Sequence, residues 1–432
     1  MSYADFLESK RRTVGDAGIG VDSDEMHPSL FGFQKDLIAW AAKKGRAAIW
    51  ADTGLGKTRM QVEWARVIGE PTLILAPLAV AEQTIREAAA IGVEVAYAQD
   101  HDDVGPGITI TNYERADRFK AEAFGAIILD ESSILKNYTG ATRNALIAQW
   151  ADTPYRLCCT ATPAPNDITE LANHSEFLGV MPRNEMLASF FVHDQDGWRV
   201  KGHAWHALFT WMTGWARAVR RPSDVGHPEE DGLYDLPPVT YRQHVVGHNE
   251  APDGQLFAVD LGGVGGRAKV RKSTLADRCS LTAELVNADD EPWIVWCGLN
   301  DESDLLAKSI PGAVNVQGSD SPESKTAALM GFIDGTHRVL VTKPSIAGMG
   351  LNFQHCNRMA FTGLSDSYES YYQAVRRCWR FGQKRPVEVH IVVSELEQQI
   401  VHNVQHKSTE AARMTQTLVD AMHAESEREN NR

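Results

Sequence analysis

The segment AAIWADTGLGKT, residues 47–58, constrains the fold of this chain more than any other stretch of its 432 residues. An apolar run leads into a loop holding Gly54 and Gly56, and an amphipathic helical pattern begins near Lys57. Strand, glycine loop and helix N-terminus in that order are the context of a phosphate-binding loop, because backbone N–H groups close on an anion where no side chain intervenes. Thr53, Gly54, Leu55 and Gly56 form the cradle; Lys57 is placed to neutralise the β/γ oxygens of a triphosphate, and Thr58 to ligand Mg²⁺. The usual pattern has glycine where Ala51 stands, so the loop reads A-x-x-G-x-G-K-T.

The rest of the chain supplies the sheet that such a loop requires. Up to about residue 179, short apolar runs at 47–51, 72–76, 108–111, 126–129 and 155–159 alternate with helical patterns. The same alternation returns at 293–297, 313–316, 339–342, 358–362 and 387–393. Strands alternating with helices predict a parallel α/β sheet, here two in tandem. Residues 222–238, rich in proline, glycine and acid, and the glycine cluster 262–266 are expected to be surface connections. They place the boundary near 230, with one domain over 1–230 and the other, ending in a C-terminal helix, over 231–432. The polar end after 421 is expected to fray.

Composition narrows the function. The content of 43% apolar and 23% charged residues is that of a globular chain with a real core. With 43 Lys and Arg against 57 Asp and Glu, the net charge of −14 excludes coating nucleic acid by bulk charge, though not a local basic groove. Six cysteines without a CxxC pair argue against a disulfide or zinc scaffold and fit a reducing cytoplasm. The apolar runs are too short for a membrane span.

Two further segments carry chemistry. FGAIILDE, residues 124–131, is a buried strand bringing two acids to its carboxyl end, the edge where open α/β sheets bind ligands. Asp130 is expected to hold Mg²⁺ through water and Glu131 to orient and deprotonate the attacking water; the alternative is a solvated strand end with two acids. In 367–385 a helical pattern sets Gln373, Arg377 and Arg380 at i, i+4 and i+7, on one face. Such arginines can stabilise transferred charge, or simply form a solvated basic face. Residues 338–385 carry eight Lys or Arg against Asp366 and Glu369, which favours the first. A second basic stretch, 199–221, interleaves five Lys or Arg with Trp205, Trp211 and Trp215. Leu208, Trp211 and Trp215 fall at helical spacing, so core packing is favoured over nucleic-acid stacking.

In order, these motifs resemble superfamily 2 helicase-type ATPases, and within them the SNF2 family, over roughly residues 28 to 405. LFGFQ (30–34) looks like the adenine-reading Q motif, with Gln34 the adenine contact and Phe33 among the ATP-binding residues; ADTGLGKT is motif I. LILAPLAVAEQ (73–83) is similar to motif Ia, ITNYE (110–114) to Ib, LDESSILKN (129–137) to motif II and TATPAPN (160–166) to motif III. ARAVRRPSDV (216–225) with LPP (236–238) resembles the segment joining the SNF2 lobes, TKPSIAGMGLN (342–352) motif V and QAVRRCWRFGQ (373–383) motif VI. Two positions depart: Ser133 stands where the DEAH pattern has histidine, and Arg376 where SNF2 proteins usually carry an acid.

The resemblance implies two tandem RecA-like lobes, each a mostly parallel sheet flanked by helices, with ATP·Mg²⁺ between them and DNA across them. It implies a DNA-dependent ATPase that tracks duplex in preference to single strands. Glu131, Arg377 and Arg380 are then catalytic, and Gly350 and Gln373 join the loop in binding ATP. Thr160, Thr162 and Ser133 couple nucleotide to domain position, and Asn112, Tyr113, Lys136, Lys343 and Ser345 contact nucleic acid. A cytoplasmic monomer of bacterial or phage type, with a nuclease or replisome protein as partner, is the expected setting. The rivals are a strand-separating or branch-migrating helicase of the same superfamily in replication or recombination, and a nucleotide-switched DNA-binding module that recruits a partner.

Overall fold

The computed structural model describes residues 14–77, 80–195, 197–247, 271–348 and 352–430. Gly350 and the glycine cluster 262–266 lie outside the described residues. The chain divides into two compact units, one running to Tyr234 and resumed from Glu410, the other Asp235–Thr409.

In the first unit, β1 (Arg46–Ala51), β2 (Thr72–Ala76), β3 (Val95–Tyr97), β4 (Ile108–Asn112), β5 (Ala126–Asp130) and β6 (Tyr155–Cys159) are followed by a hairpin of β7 (Phe191–Asp194) and β8 (Gly197–Val200), then by β9 (Ala216–Val219). Seven of these form one sheet in the order β3-β4-β2-β5-β6-β1-β9, every pair parallel, while the hairpin stands as a separate antiparallel pair. The apolar runs are continuous because helices cover both faces, yet alternate residues still divide between them. Ala48 and Trp50 of β1, Leu73 and Leu75 of β2 and Ile127 and Leu129 of β5 enter one core; Ala47, Ile49, Ile74, Ala126 and Ile128 enter the other. Trp211 and Trp215 are buried in the first of these cores, so the aromatic spacing of that basic stretch reports packing.

The second unit holds β10 (Val239–Val246), β11 (Trp293–Cys297), β12 (Ala313–Asn315), β13 (Val339–Thr342), β14 (Arg358–Thr362) and β15 (Val387–Ser394). They form an all-parallel sheet in the order β10-β15-β14-β11-β13-β12. The edge strand β10 has no apolar run; it exposes Tyr241 and Val245 and is held by eight register pairs with β15. Two parallel α/β sheets flanked by helices are therefore the architecture, and among the described residues no helix is long and apolar enough to cross a membrane.

Two expectations need correction. The helix Gln398–Asn430 does not end its course in the second unit and does not fray after 421. Met414, Leu418 and Met422, at i, i+4 and i+8, form an apolar face that enters the first unit's core, and the His423 ring bonds Asp224 O at 2.9 Å. The helical pattern over 367–385 is a helix only at Tyr368–Val375. The Arg377 carbonyl accepts the Phe353 N–H at 3.0 Å instead of continuing the helical ladder, and the chain turns. Gln373, Arg377 and Arg380 therefore do not share a helix face.

Candidate active site

The phosphate-binding loop sits between β1 and the helix Lys57–Ile68. Gly54 and Gly56 have φ of 95° and 83°, and Gly56 is the helix N-cap, so the turn needs a left-handed backbone twice in three residues. No side chain caps this helix, which leaves its first N–H groups facing the loop. Leu55 is buried and pins the loop to the core; Asp52 Oδ1 accepts the Thr53 N–H at 2.6 Å.

Gln34, from the helix Gly32–Lys44, donates from Nε2 to Leu55 O at 2.9 Å and accepts the Phe31 N–H at 3.1 Å. A Cβ on Gly56 would collide with that amide. Gln34 thus braces the loop with both ends of its amide. Phe33, expected among the ATP-binding residues, is fully buried, edge-on to Tyr234 at 5.5 Å. The residue that anchors this helix was missed from the sequence: Glu230 accepts the N–H groups of Gly32 and Phe33 at 2.8 and 3.1 Å. It lies nearly 200 positions away, and no local pattern points to it.

Lys57 Nζ donates to Ala51 O at 2.8 Å and Asp52 O at 3.3 Å, folded across the mouth of the loop. Desolvation pulls its pKa below the ordinary lysine value, against Glu131, Asp52 and Asp130, which hold the charge. Asp130, at the end of β5, accepts Gln61 Nε2 at 2.7 Å; burial raises its pKa while Gln61 and Lys57 oppose the rise. Thr58 is half-buried in the first turn of the same helix that carries Gln61.

Glu131 follows with φ 56° and ψ 56°, the one non-glycine residue with positive φ among the described residues. That backbone is strained for a side chain of this size and turns the carboxylate toward β6. Glu131 Oε2 accepts the Thr160 hydroxyl at 3.0 Å, and Thr160 Oγ1 in turn accepts the Thr162 N–H at 3.1 Å. A change at the carboxylate therefore has a two-bond path into the segment after β6. The Thr162 hydroxyl is buried without a hydrogen-bond partner among the described residues.

Other sites differ from expectation. Asn112 is buried, and the Tyr113 hydroxyl donates to Asp130 O at 2.6 Å; β4 ends against β2, and the turn beyond it packs toward β5. Ser133 is buried, and Lys136 is half-buried with its carbonyl held by Asn173 Nδ2 at 3.1 Å. His174, which no motif singled out, lies fully buried with Nε2 3.1 Å from Ser132 Oγ; burial pushes its pKa down to about 4, so the ring is neutral at ordinary pH. In sequence it is a lone histidine in the short mixed helix Leu171–Phe177, with no spacing or motif to set it apart.

In the second unit, Lys343 and exposed Ser345 do come together. They line a cavity of about 170 Å³ at the carboxyl ends of β11, β13 and β14, with Arg271, Ser365 and Ser370. Gln373 and Arg377 are buried, with Arg377 Nε donating to Gln373 O at 3.1 Å, and Arg380 is half-buried. The departure at Arg376 has a packing reason: its guanidinium lies 4.7 Å from the Trp379 ring and 5.6 Å from the Tyr372 ring.

Residues 278–382, within the second unit, match the family model of the helicase conserved C-terminal domain. None of the curated proteins matches the chain. Among solved structures it is similar to the Sulfolobus solfataricus SWI2/SNF2 ATPase core in complex with dsDNA, at 18% sequence identity and a TM-score of 0.45, over 88% of this chain and 92% of that one. The likeness to helicases is thus carried by the second unit's own sequence.

Proposed function

We propose that this chain is a DNA-dependent ATPase that uses ATP hydrolysis to translocate along duplex DNA. The observation that carries the reading is the convergence, at one sheet edge, of Lys57 across a glycine loop, the Asp130–Glu131 pair and the Thr160 hydroxyl on the Glu131 carboxylate. The helicase C-terminal match in the second unit supports it.

The loop suits a triphosphate, since its two left-handed glycines clear the space and a helix N-terminus opens onto it. In this reading N–H groups over 53–58 and Lys57 hold the phosphates, and Thr58 directly and Asp130 through water would hold Mg²⁺. When bound, Mg²⁺ neutralises charge on the β and γ oxygens. Glu131 orients the attacking water and takes its proton at the carboxylate; the hydrogen bond from Thr160 changes with that proton, which passes the state of the site to Thr162. Arg377 and Arg380 stabilise the developing charge, with Gln373 and Gly350 completing the nucleotide contacts, and Lys343, Ser345 and Lys136 bind DNA phosphates.

An ATPase assay with duplex, single-stranded and RNA ligands tests this. Duplex is expected to stimulate hydrolysis most, and the protein to displace the third strand of a triplex while leaving a blunt duplex paired. Stimulation by single strands with unwinding of a tailed duplex would replace translocation by strand separation; no hydrolysis at all would overturn the reading.

A further inference from the structure

Glu131 is held in a strained conformation, and something must hold it. The residue opens a tight 3₁₀ turn, Ser132–Lys136, whose Ile134 N–H bonds back to Glu131 O at 3.1 Å. A left-handed glutamate persists only where its surroundings over-determine it. Two adjacent residues of the helix Leu171–Phe177 do so. Asn173 Nδ2 donates to Leu135 O at 2.8 Å and Lys136 O at 3.1 Å, closing the far end of the turn. His174 shares a hydrogen bond of 3.1 Å with Ser132 Oγ, fixing the near end one residue from the strained backbone.

The clamp is itself fixed from two sides. The His174 ring stands edge-on to Trp50 at 5.6 Å, and Trp50 stands edge-on to Trp215 at the same distance, so the ring is seated against the strand that leads into the phosphate loop. One turn earlier, Glu170 accepts the Asn166 N–H at 3.1 Å and its Nδ2 at 2.9 Å, tying the same stretch to the end of the segment that begins at Thr160. Ser132, Asn173 and His174 are all fully or almost fully buried, where a hydrogen bond is strong and its loss is not repaired by water.

We propose that Asn173 and His174 are positioning residues that set the Glu131 carboxylate for hydrolysis, acting through the Ser132–Lys136 turn. The inference rests on the reading of Glu131 as the group that activates water. A clamp of this kind acts on turnover, because the phosphate loop that binds nucleotide keeps its own bonds to Gln34 and Ala51.

The test is steady-state ATP hydrolysis with saturating duplex by the full chain and its Ser132→Ala, His174→Leu, His174→Gln and Asn173→Ala variants, with thermal melting of each. Ser132→Ala and His174→Leu are expected to lower kcat about tenfold, the worth of one buried hydrogen bond, while the KM for ATP stays within about twofold. His174→Gln, which keeps a polar amide near the serine, is expected to recover most of the loss. Ser132→Ala combined with His174→Leu should be no worse than either alone, since both remove the same bond. Unchanged kcat with a lowered Tm, equal losses in kcat and affinity, or additive losses would make the clamp merely structural and overturn the proposal. If His174→Leu fails to fold, the minimal Ser132→Ala change decides alone. Lys57→Ala is run alongside: wild-type hydrolysis that Lys57→Ala abolishes, with Ser132→Ala and His174→Gln indistinguishable from wild type in kcat, overturns the clamp and leaves the ATPase reading standing. No wild-type hydrolysis overturns both.

Discussion

The two units assemble their candidate residues in opposite ways. In the first, residues scattered from Gln34 to Thr162 converge because each sits at or just beyond the end of a parallel strand, or on a helix packed against one. In the second, the candidate arginines crowd into the segment 373–383, yet the chain turns within it: Arg376 packs onto Trp379 and Tyr372, Arg377 is buried with its carbonyl bonded to Phe353, and Gln383 Nε2 donates to the carbonyls of Gln354, Cys356 and Cys378. Sheet topology brings distant residues together more dependably than a short segment keeps near ones aligned. A strand end has a direction set by its ladder; a turn has one set by whichever distant group takes its carbonyl.

That contrast can be broken most sharply at Lys57. Lys57→Ala is expected to abolish nearly all ATP turnover, because no other cation in the loop faces the phosphates; near-normal turnover would remove the first unit as the nucleotide site. Next, Arg380→Ala should cut turnover by about 10³-fold with ATP binding, followed by a fluorescent nucleotide, retained. Arg377→Ala should match it in turnover but also lower Tm, since its guanidinium is buried and bonded to Gln373. Equal melting of the two variants would show that the buried arginine is not part of the unit's packing.

Glu131→Gly and Glu131→Ala should both lose turnover, but the glycine variant should be more stable than the alanine variant by about 1 kcal/mol, because only alanine retains the left-handed strain. Equal stability would mean that the strained backbone relaxes once the carboxylate is gone. Smaller still, Thr160→Val keeps the shape but removes both the hydrogen bond to Glu131 and the acceptor of the Thr162 N–H, and should slow turnover by about fivefold.

The last effect is a pH dependence carried in the first unit by His174 and Glu170. Burial holds His174 down to about 4, so between its ordinary value of 6.5 and about 4 the unfolded chain binds a proton that the folded chain refuses, and stability falls as pH falls. Burial raises Glu170 to about 7 from 4.5, so over 7 to 4.5 the folded chain takes up a proton first, and stability rises as pH falls. The two trends offset where they overlap. Glu170→Gln should therefore lose stability more steeply than wild type between pH 6.5 and 4.5, measured by urea unfolding; parallel curves would show that Glu170 is already ionised there.

Much of this molecule was legible in the sequence. The strands of both parallel sheets that run apolar for four or more residues announced themselves, because burial on both faces leaves no polar alternation to obscure them. β3, β9, β10 and the β7–β8 hairpin did not, since their stability comes from a neighbouring backbone: β10 is mostly exposed and polar, and is a strand because β15 pairs with it along its whole length. The loop Lys57 and the acids Asp130 and Glu131 were visible because a few residue types at fixed spacing dictate local geometry. What tertiary structure alone decided was orientation. It turned Phe33, Asn112 and Tyr113 inward, unwound the segment carrying Arg377 and Arg380, and returned Met414, Leu418 and Met422 to the first core. It also set Asn173 and His174 against the turn that strains Glu131. Local spacing specifies which chemistry a segment can carry; the direction in which each side chain finally points depends on hydrogen bonds and apolar surface contributed by residues tens to hundreds of positions away.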